Sequence, residues 1–230
     1  MIEKRPFERL GRFDNDWLSA RYHFSFSDYF DPERRGVGPL IVWNDDTIKA
    51  GTGFPTHPHR DMEIITYIRS GAITHQDSTG GHGRTEAGNV QVMSAGTGVF
   101  HSEFNVEKDD MTLFQIWIRP DRSGHAPRYE SRAFPRAPGQ LIALASGRAE
   151  HPEALPIHQD AAVLGALLQA GQSLSHPLAG RQAYLVGLRG PISVNGVRLE
   201  PRDGAVIVEE TEIRIEALAD AEVVLADLPV

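Results

Sequence analysis

The sequence predicts an all-β protein with two consecutive halves, each a sandwich or a barrel. Its 22 glycines and 15 prolines divide the 230 residues into short segments. The apolar segments between them often alternate between apolar and polar side chains, which is typical of strands. The first half lacks any long helical period. Regular short strands joined by glycine-rich turns favour a sandwich or a barrel over an α/β fold.

The first half contains three clear strand candidates. Residues 113–118 show the pattern best, because alternate side chains starting from Leu113 and from Phe114 fall on opposite faces. Turn-forming residues follow or precede each candidate. The predicted strands are residues 40–43, 64–68 and 113–118, and the predicted turns are residues 44–46, 70–71, 78–81 and 87–89.

A polar, proline-rich stretch at residues 121–140 indicates a connector, after which strands resume. We therefore divide the chain into residues 1–132 and residues 133–230. Asn195-Gly196 between two apolar segments is a strong signal for a two-residue hairpin, whereas residues 161–168 fit either a strand or a short helix. The predicted strands of the second half are residues 141–145, 183–188, 192–194, 206–208, 213–215 and 223–225.

Composition excludes several functional classes. The net charge is −8 with dispersed lysines and arginines, so the basic stripe that direct nucleic-acid binding requires is absent. The chain has no cysteine, which excludes disulfides, thiolate metal ligands and cysteine nucleophiles. The N-terminal residues lack the apolar core of a signal peptide, and no segment reaches the roughly 18 apolar residues of a membrane helix. We expect a cytoplasmic protein that does not contact a membrane.

Two short motifs offer metal ligands. His57 and His59 flank Pro58, and His101 and Glu103 lie two residues apart. In an extended backbone, residues two apart point to the same face. Two such pairs on neighbouring strands would bring three nitrogens and one oxygen to one centre. Each pair alone also fits a hydrogen-bonded polar cluster without metal.

The other histidines of the first half have simpler interpretations. His75 lies on a predicted strand, where we expect a packed, hydrogen-bonded side chain, although it could also line the cavity. His82 and His125 lie in glycine-rich loops and are expected to be solvated.

The first motif resembles that of cupins. Gly51, His57, His59 and Glu63 have the cupin spacing, with Gly71 one residue later than usual.

The second cupin motif is matched only in part. Gly88, Gly96, His101 and Asn105 fit it, but Ser94 stands where proline is usual, and the spacing from Gly96 to His101 is longer.

These departures fit the pirin family. The sequence resembles pirins at residues 54–63, 76–78 and 92–103, and the opening segments 23–26 and 29–32 are similar to those of bacterial members. The resemblance is strong over about residues 10–132 and extends to the second half only in architecture.

The resemblance implies a bicupin of two jelly-roll-like β-barrels with a metal in the first. Its ligands would be His57, His59, His101 and Glu103, so that Glu63, the general cupin ligand, would instead hydrogen-bond to a metal ligand or make a structural hydrogen bond. The second barrel is expected to be a degenerate cupin without metal, because His176 has no second histidine two residues on.

The resemblance also implies an activity. It indicates one divalent metal, Fe(II), whereas the ligand types alone also admit Mn, Co, Ni, Cu and Zn. The implied reaction is that of quercetin 2,3-dioxygenase, which opens the heterocycle of flavonols such as quercetin with dioxygen and releases carbon monoxide. Glu103 would act as the catalytic base. Four apolar residues are candidates for a slot that holds a flat ligand, although core packing is the simpler interpretation of each: Phe54, Met93, Phe104 and Phe114.

Two alternatives remain from the sequence. A non-enzymatic metal or redox sensor would use the same site to bind a protein partner in a manner that depends on the oxidation state of the metal. An epimerase or isomerase would not need the metal, so replacement of His101 would leave its activity intact.

Overall fold

Strands provide nearly all of the regular structure. The structure, a computed structural model, describes all 230 residues. The elements of the first half are β1 (Ile2–Arg5), η1, a 3-10 helix (Phe7–Arg9), β2 (Gly11–Asp14), β3 (Leu18–Tyr22), β4 (Leu40–Ile48), β5 (Gly53–His59), β6 (Glu63–Ser70), β7 (Ala72–Asp77), β8 (His82–Glu86), β9 (Asn89–Ser94), β10 (Val99–Phe104), β11 (Met111–Ile118) and β12 (Arg128–Ala133). Those of the second half are β13 (Ile142–Ser146), β14 (Leu155–Pro156), β15 (Ala162–Leu168), β16 (Ser173–Pro177), β17 (Gln182–Arg189), β18 (Ile192–Val194), β19 (Val197–Leu199), β20 (Gly204–Ile207), β21 (Glu212–Ala217) and β22 (Ala221–Leu228).

Both halves have the same architecture. In the first, a seven-stranded sheet in the order β12-β9-β6-β11-β4-β3-β2 accompanies a four-stranded sheet in the order β5-β10-β7-β8. In the second, the orders are β1-β20-β17-β22-β15-β13-β14 and β16-β21-β18-β19. The all-β bicupin prediction is confirmed.

The N-terminal strand joins the second half. β1 pairs antiparallel with β20, so that Ile2 lies opposite Ile207. In the first half the corresponding edge position is filled by β12, which pairs with β9 and lies within the predicted connector. The division at residue 132 stays a prediction. The pairing of β1 means that a strand from the N-terminal part of the sequence belongs to a sheet of the second half.

Most predicted elements are present, but one predicted turn is wrong. Residues 44–46 continue β4 instead of ending it. Asp45 faces Arg69 and Arg202, which bind its carboxylate, while Asn44 and Asp46 face the interior of the first barrel. Tertiary partners therefore override the local turn preference of these polar residues. The ambiguous residues 161–168 form a strand, β15, and Asn195-Gly196 adopts the left-handed backbone of a hairpin turn.

The two large sheets pack against each other face to face. Phe114, Ile116 and Ile118 of β11 lie in a shared core of 23 buried residues that also contains Tyr184 and Val224 of the second half. Burial of each such large side chain contributes about 1.5–3 kcal/mol. The opposite face of the first sheet, which carries Gln115 and Trp117, is left to line the interior of the first barrel.

The interior of the second barrel is filled with aliphatic side chains. A second core of 18 buried residues includes Leu185, Ile192, Ile213 and Ile215. Strands β16 and β21 hold the places that β5 and β10 hold in the first half, and Ile213 lies opposite His176. An isoleucine thus stands opposite the histidine of this pair, whereas the first barrel pairs His57 with His101.

None of the chain's helical segments is long and apolar enough to cross a bilayer.

Candidate metal centre

Three histidines converge inside the first barrel. β5 and β10 pair antiparallel with His57 directly opposite His101, and Pro58 separates His57 from His59. The Nε2 atoms of His57 and His101 lie 3.0 Å apart. One ring nitrogen from each of the three histidines lies within 4.8 Å of the others. The alternation of side chains along paired strands therefore brings these three predicted ligands together, as expected.

Hydrogen bonds determine which nitrogen of His57 is free. Its Nδ1 lies 2.7 Å from the carbonyl oxygen of Pro55. A carbonyl oxygen only accepts hydrogen bonds, so Nδ1 carries the proton and Nε2 carries the lone pair. Such a bond from the remote nitrogen to a carbonyl is typical of metal-binding histidines, because it fixes the tautomer and the ring orientation.

A chain of hydrogen bonds determines which ring nitrogen of His101 carries the proton. Asp77 lies 3.0 Å from Nε2 of His75, and Nδ1 of His75 lies 3.4 Å from Nδ1 of His101. Since the carboxylate accepts from His75 Nε2, neutral His75 can accept from His101 through Nδ1. Nε2 of His101 then also presents a lone pair.

Two lone pairs therefore face each other at 3.0 Å, an arrangement that a cation between them would stabilise. Two ligands bound at right angles about 2.1 Å from one ion lie about 3.0 Å apart. The donor set thus fits a divalent metal.

Burial lowers the pKa of three histidines at this site. Burial, with His57 nearby, lowers the pKa of His59 from 6.5 to about 4. Burial and the neighbouring histidines lower the pKa of His101 further. Burial also lowers the pKa of His75, although Asp77 opposes this shift. His59 and His101 can therefore bind a metal at physiological pH without first losing a proton.

Glu103 lies next to these histidines and is held by two amides. Gln91 Nε2 donates to Glu103 Oε1 at 2.6 Å, and Gln115 Nε2 donates to Oε2 at 3.0 Å. Burial raises the pKa of Glu103 from 4.5 to about 7, although both amides oppose the shift. A carboxylate oxygen of Glu103 lies within 4.8 Å of ring nitrogens of His101 and His75.

The four predicted ligands do not all form one tight group. Glu103 belongs to a group with His75 and His101, and His57 and His59 belong to another group with His101. The register of β10 against β5 shifts between His101 and Glu103. The two groups nevertheless adjoin, because both contain His101 and because Glu103 lines one cavity with His57 and His59.

His75 has a larger role in the arrangement than the sequence indicated. It is buried and stacks in parallel on Tyr129 at a ring distance of 3.9 Å. It is hydrogen-bonded, as expected, but its partners are Asp77 and the predicted ligand His101. Burial raises the pKa of Asp77, but hydrogen bonds from Thr79 and His75 outweigh this effect and lower it.

Glu63 points away from the histidines. Its carboxylate accepts from Ser94 Oγ at 2.6 Å and lies 3.2 Å from His158 Nδ1 of the second half. Ser94, the residue that replaces the usual cupin proline, thus contacts the glutamate of the first cupin motif. Glu63 makes structural hydrogen bonds between the halves, as the sequence suggested.

The two histidines expected in loops behave differently from each other. His82 is exposed, as expected, but it begins β8 instead of lying in a loop, and its Nδ1 lies 3.1 Å from the carbonyl oxygen of Gly80. The expectation that His125 is solvated is wrong, because its side chain is only 10% exposed, stacks on His158 at 3.8 Å and binds Asp121. The second half folds back over this loop and covers it, which local sequence could not indicate.

A cavity of about 190 Å³ opens beside the histidines. Phe54, Phe26, Tyr22 and Trp117 supply aromatic walls, and Trp117 lies edge-on to His59 with ring centroids 4.9 Å apart. Other residues that line the cavity are Leu18, Ala20, Asn44, Asp46, Glu103 and Gln115.

Of the four apolar residues considered for a slot, only Phe54 lines this cavity. Phe114 lies in the core between the halves, and Met93 packs in a small cluster with Ile64. Phe104 lies against Gly53. Sequence reasoning did not identify Tyr22, Phe26 and Trp117 as cavity residues. For Trp117 a signal existed, because it shares a face of β11 with the polar Gln115.

Polar groups near His176 in the second barrel are bound to one another. His176 Nε2 and Arg148 Nη1 each lie 2.8 Å from Asp227 Oδ2, and Arg181 Nε lies 2.5 Å from Oδ1. His176 thus has a buried carboxylate as its partner.

The sequence matches two family profiles. The profile described as Pirin matches residues 3–118, and that described as Quercetinase C-terminal cupin domain matches residues 143–228.

Curated relatives and solved structures match over almost the whole chain. A putative quercetin 2,3-dioxygenase from Pseudomonas aeruginosa is 58% identical over 99% of this chain and 100% of its own length. Quercetin 2,3-dioxygenase from Escherichia coli (strain K12) is 42% identical over 100% of this chain and 99% of its own length. The crystal structure of a bacterial pirin from Escherichia coli in complex with nickel(II) is similar, with a TM-score of 0.94. It is 40% identical in sequence and covers 100% of this chain and 99% of its own.

Proposed function

The chain belongs to the pirin family, and we propose that it is a metal-dependent dioxygenase that opens the heterocycle of flavonols such as quercetin and releases carbon monoxide. The observation that carries the proposal is the convergence of His57 and His101, whose Nε2 atoms lie 3.0 Å apart beside a cavity with aromatic walls. The curated names of its relatives support the same activity.

His57, His59, His101 and Glu103 would hold the metal. Three neutral nitrogens and one carboxylate suit first-row divalent ions, and we propose Fe(II), while Mn, Co, Ni, Cu and Zn also fit the ligand types. A related pirin has been crystallised with nickel(II). The bound ion would act as a Lewis acid that lowers the pKa of a coordinated substrate hydroxyl.

Glu103 would accept the proton of that hydroxyl. Gln91 and Gln115 donate to its two oxygens and hold the carboxylate in one orientation, so little reorganisation is needed during proton transfer. A positioned side-chain base contributes about 10²–10⁴-fold to a rate. A neighbouring cation would favour the ionised form of Glu103, which is the form that accepts a proton.

The cavity would bind the flat substrate and exclude water from it. Tyr22, Phe26, Phe54 and Trp117 offer aromatic surface on several sides, which suits an aromatic ligand. Exclusion of water protects a deprotonated, electron-rich substrate from being reprotonated by solvent.

Purified protein loaded with Fe(II) should consume oxygen and release carbon monoxide when quercetin is added. The same assay should be run with Mn, Co, Ni, Cu and Zn, and metal content should be measured in each sample. Bound metal without turnover for every ion would contradict the proposal. In that case, binding of a protein partner that depends on the oxidation state of the metal would identify the sensor alternative.

A further inference from the structure

Strand β4 places two unpaired polar side chains in the wall of the cavity. Asn44 is 4% exposed and Asp46 is 3% exposed, and both line the cavity beside the histidines. The Oδ1 atom of each is buried without a hydrogen-bond partner. Buried polar atoms in proteins are nearly always satisfied, so such atoms at a cavity indicate a missing partner.

The other polar side chains near the centre of the cavity are already bound. Both carboxylate oxygens of Glu103 accept bonds from glutamine amides. Gln115 donates to Glu103, and its own oxygen accepts from Trp117 Nε1 at 3.4 Å. Asn44 and Asp46 therefore supply two buried acceptor atoms in the β4 part of this wall that no protein group binds.

The two acceptors lie on the sheet opposite the histidines. Asn44 is opposite Gln115 on β11 and Tyr22 on β3, and Asp46 is opposite Leu113 and Ala20. The histidines belong to β5 and β10 of the other sheet. A flat ligand that spans the cavity would have one edge at the histidines of one sheet and another at β4 of the other sheet.

Building on the proposed function, we infer that Asn44 and Asp46 determine substrate specificity by accepting hydrogen bonds from ring hydroxyl groups of the aromatic substrate. The substrate class is thus an aromatic compound that carries hydroxyls beyond the one at the reacting carbon. A site built to bind a hydroxyl discriminates strongly against an analogue that lacks it, because its own polar groups then remain unpaired.

Binding of two flavonols tests this inference. Quercetin and 3-hydroxyflavone share the flavonol core, but 3-hydroxyflavone lacks the other hydroxyls. Anaerobic titration of the nickel(II)-loaded protein, followed by visible absorbance, measures both affinities without turnover. We expect the wild type to prefer quercetin by at least about tenfold. Asp46→Leu and Asn44→Leu should each lower this preference about tenfold by weakening quercetin binding alone.

Three controls separate recognition from damage to the fold. Asp46→Asn keeps an acceptor oxygen and should keep most of the preference. Thr47→Val lies on the same strand with its side chain on the opposite face and should change neither affinity. Asp46→Leu removes a buried unpaired carboxyl, so its melting temperature should not fall below that of the wild type. If the leucine variants do not fold, Asp46→Ala and Asn44→Ala make the same comparison.

The outcomes distinguish this inference from the proposed function. An unchanged quercetin preference in both variants, with normal turnover of quercetin by the wild type, would overturn the inference alone. A lost preference, in a protein that binds quercetin but never consumes oxygen with it, would support the inference and overturn the proposed reaction. A metal-loaded wild type that binds neither flavonol would overturn both.

Discussion

His75 and His101 face each other through their Nδ1 atoms, 3.4 Å apart, and Asp77 binds the other nitrogen of His75. The hydrogen bonds that run from Asp77 through His75 orient His101, a proposed metal ligand, at the ring nitrogen that does not face the metal site. Groups in this position commonly fix the tautomer of a ligand and raise its basicity. The relationship gives the first prediction.

Replacement of His75 by phenylalanine should weaken metal binding about 10- to 100-fold, because His101 loses the acceptor that fixes its tautomer. Competition with a chelator of known affinity measures the effect. His82→Phe is the matched control, since His82 is an exposed histidine on neighbouring β8. Equal metal affinity in the His75 variant and the wild type would show that the hydrogen bond with His75 does not orient His101.

Replacement of Glu103 by glutamine should retain much of the metal but lower quercetin turnover about 10²–10⁴-fold, because the amide cannot accept the substrate proton. Metal content and oxygen uptake are measured on the same samples. Glu63→Gln changes another buried carboxylate of the same barrel, whose partners are Ser94 and His158, and should leave turnover near the wild-type value. Full turnover by the Glu103 variant would contradict the proposal that Glu103 is the catalytic base.

Replacement of Asp227 by asparagine should destabilise the protein by about 3–5 kcal/mol at pH 7, because Arg181 and Arg148 lose their buried partner. Asp160→Asn is the control, since Asp160 also binds Arg181 but its side chain is 63% exposed. Its loss should cost less than about 1 kcal/mol. Urea unfolding measures both, and similar effects of the two substitutions would contradict the prediction.

The contribution of Asp227 should also depend on pH. Burial raises its pKa, but hydrogen bonds from His176 and Arg181 outweigh this effect and leave the folded-state pKa below 3.8. A group with a depressed pKa stabilises the fold above its unfolded-state pKa, and this stabilisation is lost as the pH falls through the folded-state value. The difference in unfolding free energy between the wild type and Asp227→Asn should therefore be constant above about pH 5 and shrink below pH 3.8. A difference that stays constant down to pH 2 would contradict this linkage.

Local patterns predicted the strands and the convergence of the three histidines well. Side-chain alternation over residues 113–118 correctly separated the face that packs on the second barrel from the face that lines the cavity. The spacing of two residues within His57-Pro58-His59 was enough to predict that both rings lie on one face, since it depends only on extended backbone.

Features that depend on distant partners were not predictable in this way. Residues 44–46 have the composition of a turn, yet Arg69 and Arg202 hold Asp45 within a central strand. The pairing of β1 with β20 joins residues about 200 positions apart, and no local signal encodes it. The cavity walls combine Tyr22, Phe26 and Trp117, which become neighbours only after the sheet has formed.

Anomalous diffraction from a crystal of the metal-loaded protein, measured on both sides of the absorption edge of the metal, tests the proposed centre most directly. One peak per chain should lie between His57, His59, His101 and Glu103, and it should be absent from crystals of His101→Ala grown in the same way. A peak elsewhere, such as beside His176 in the second barrel, or an undiminished peak in the His101 variant, would contradict the proposed metal centre.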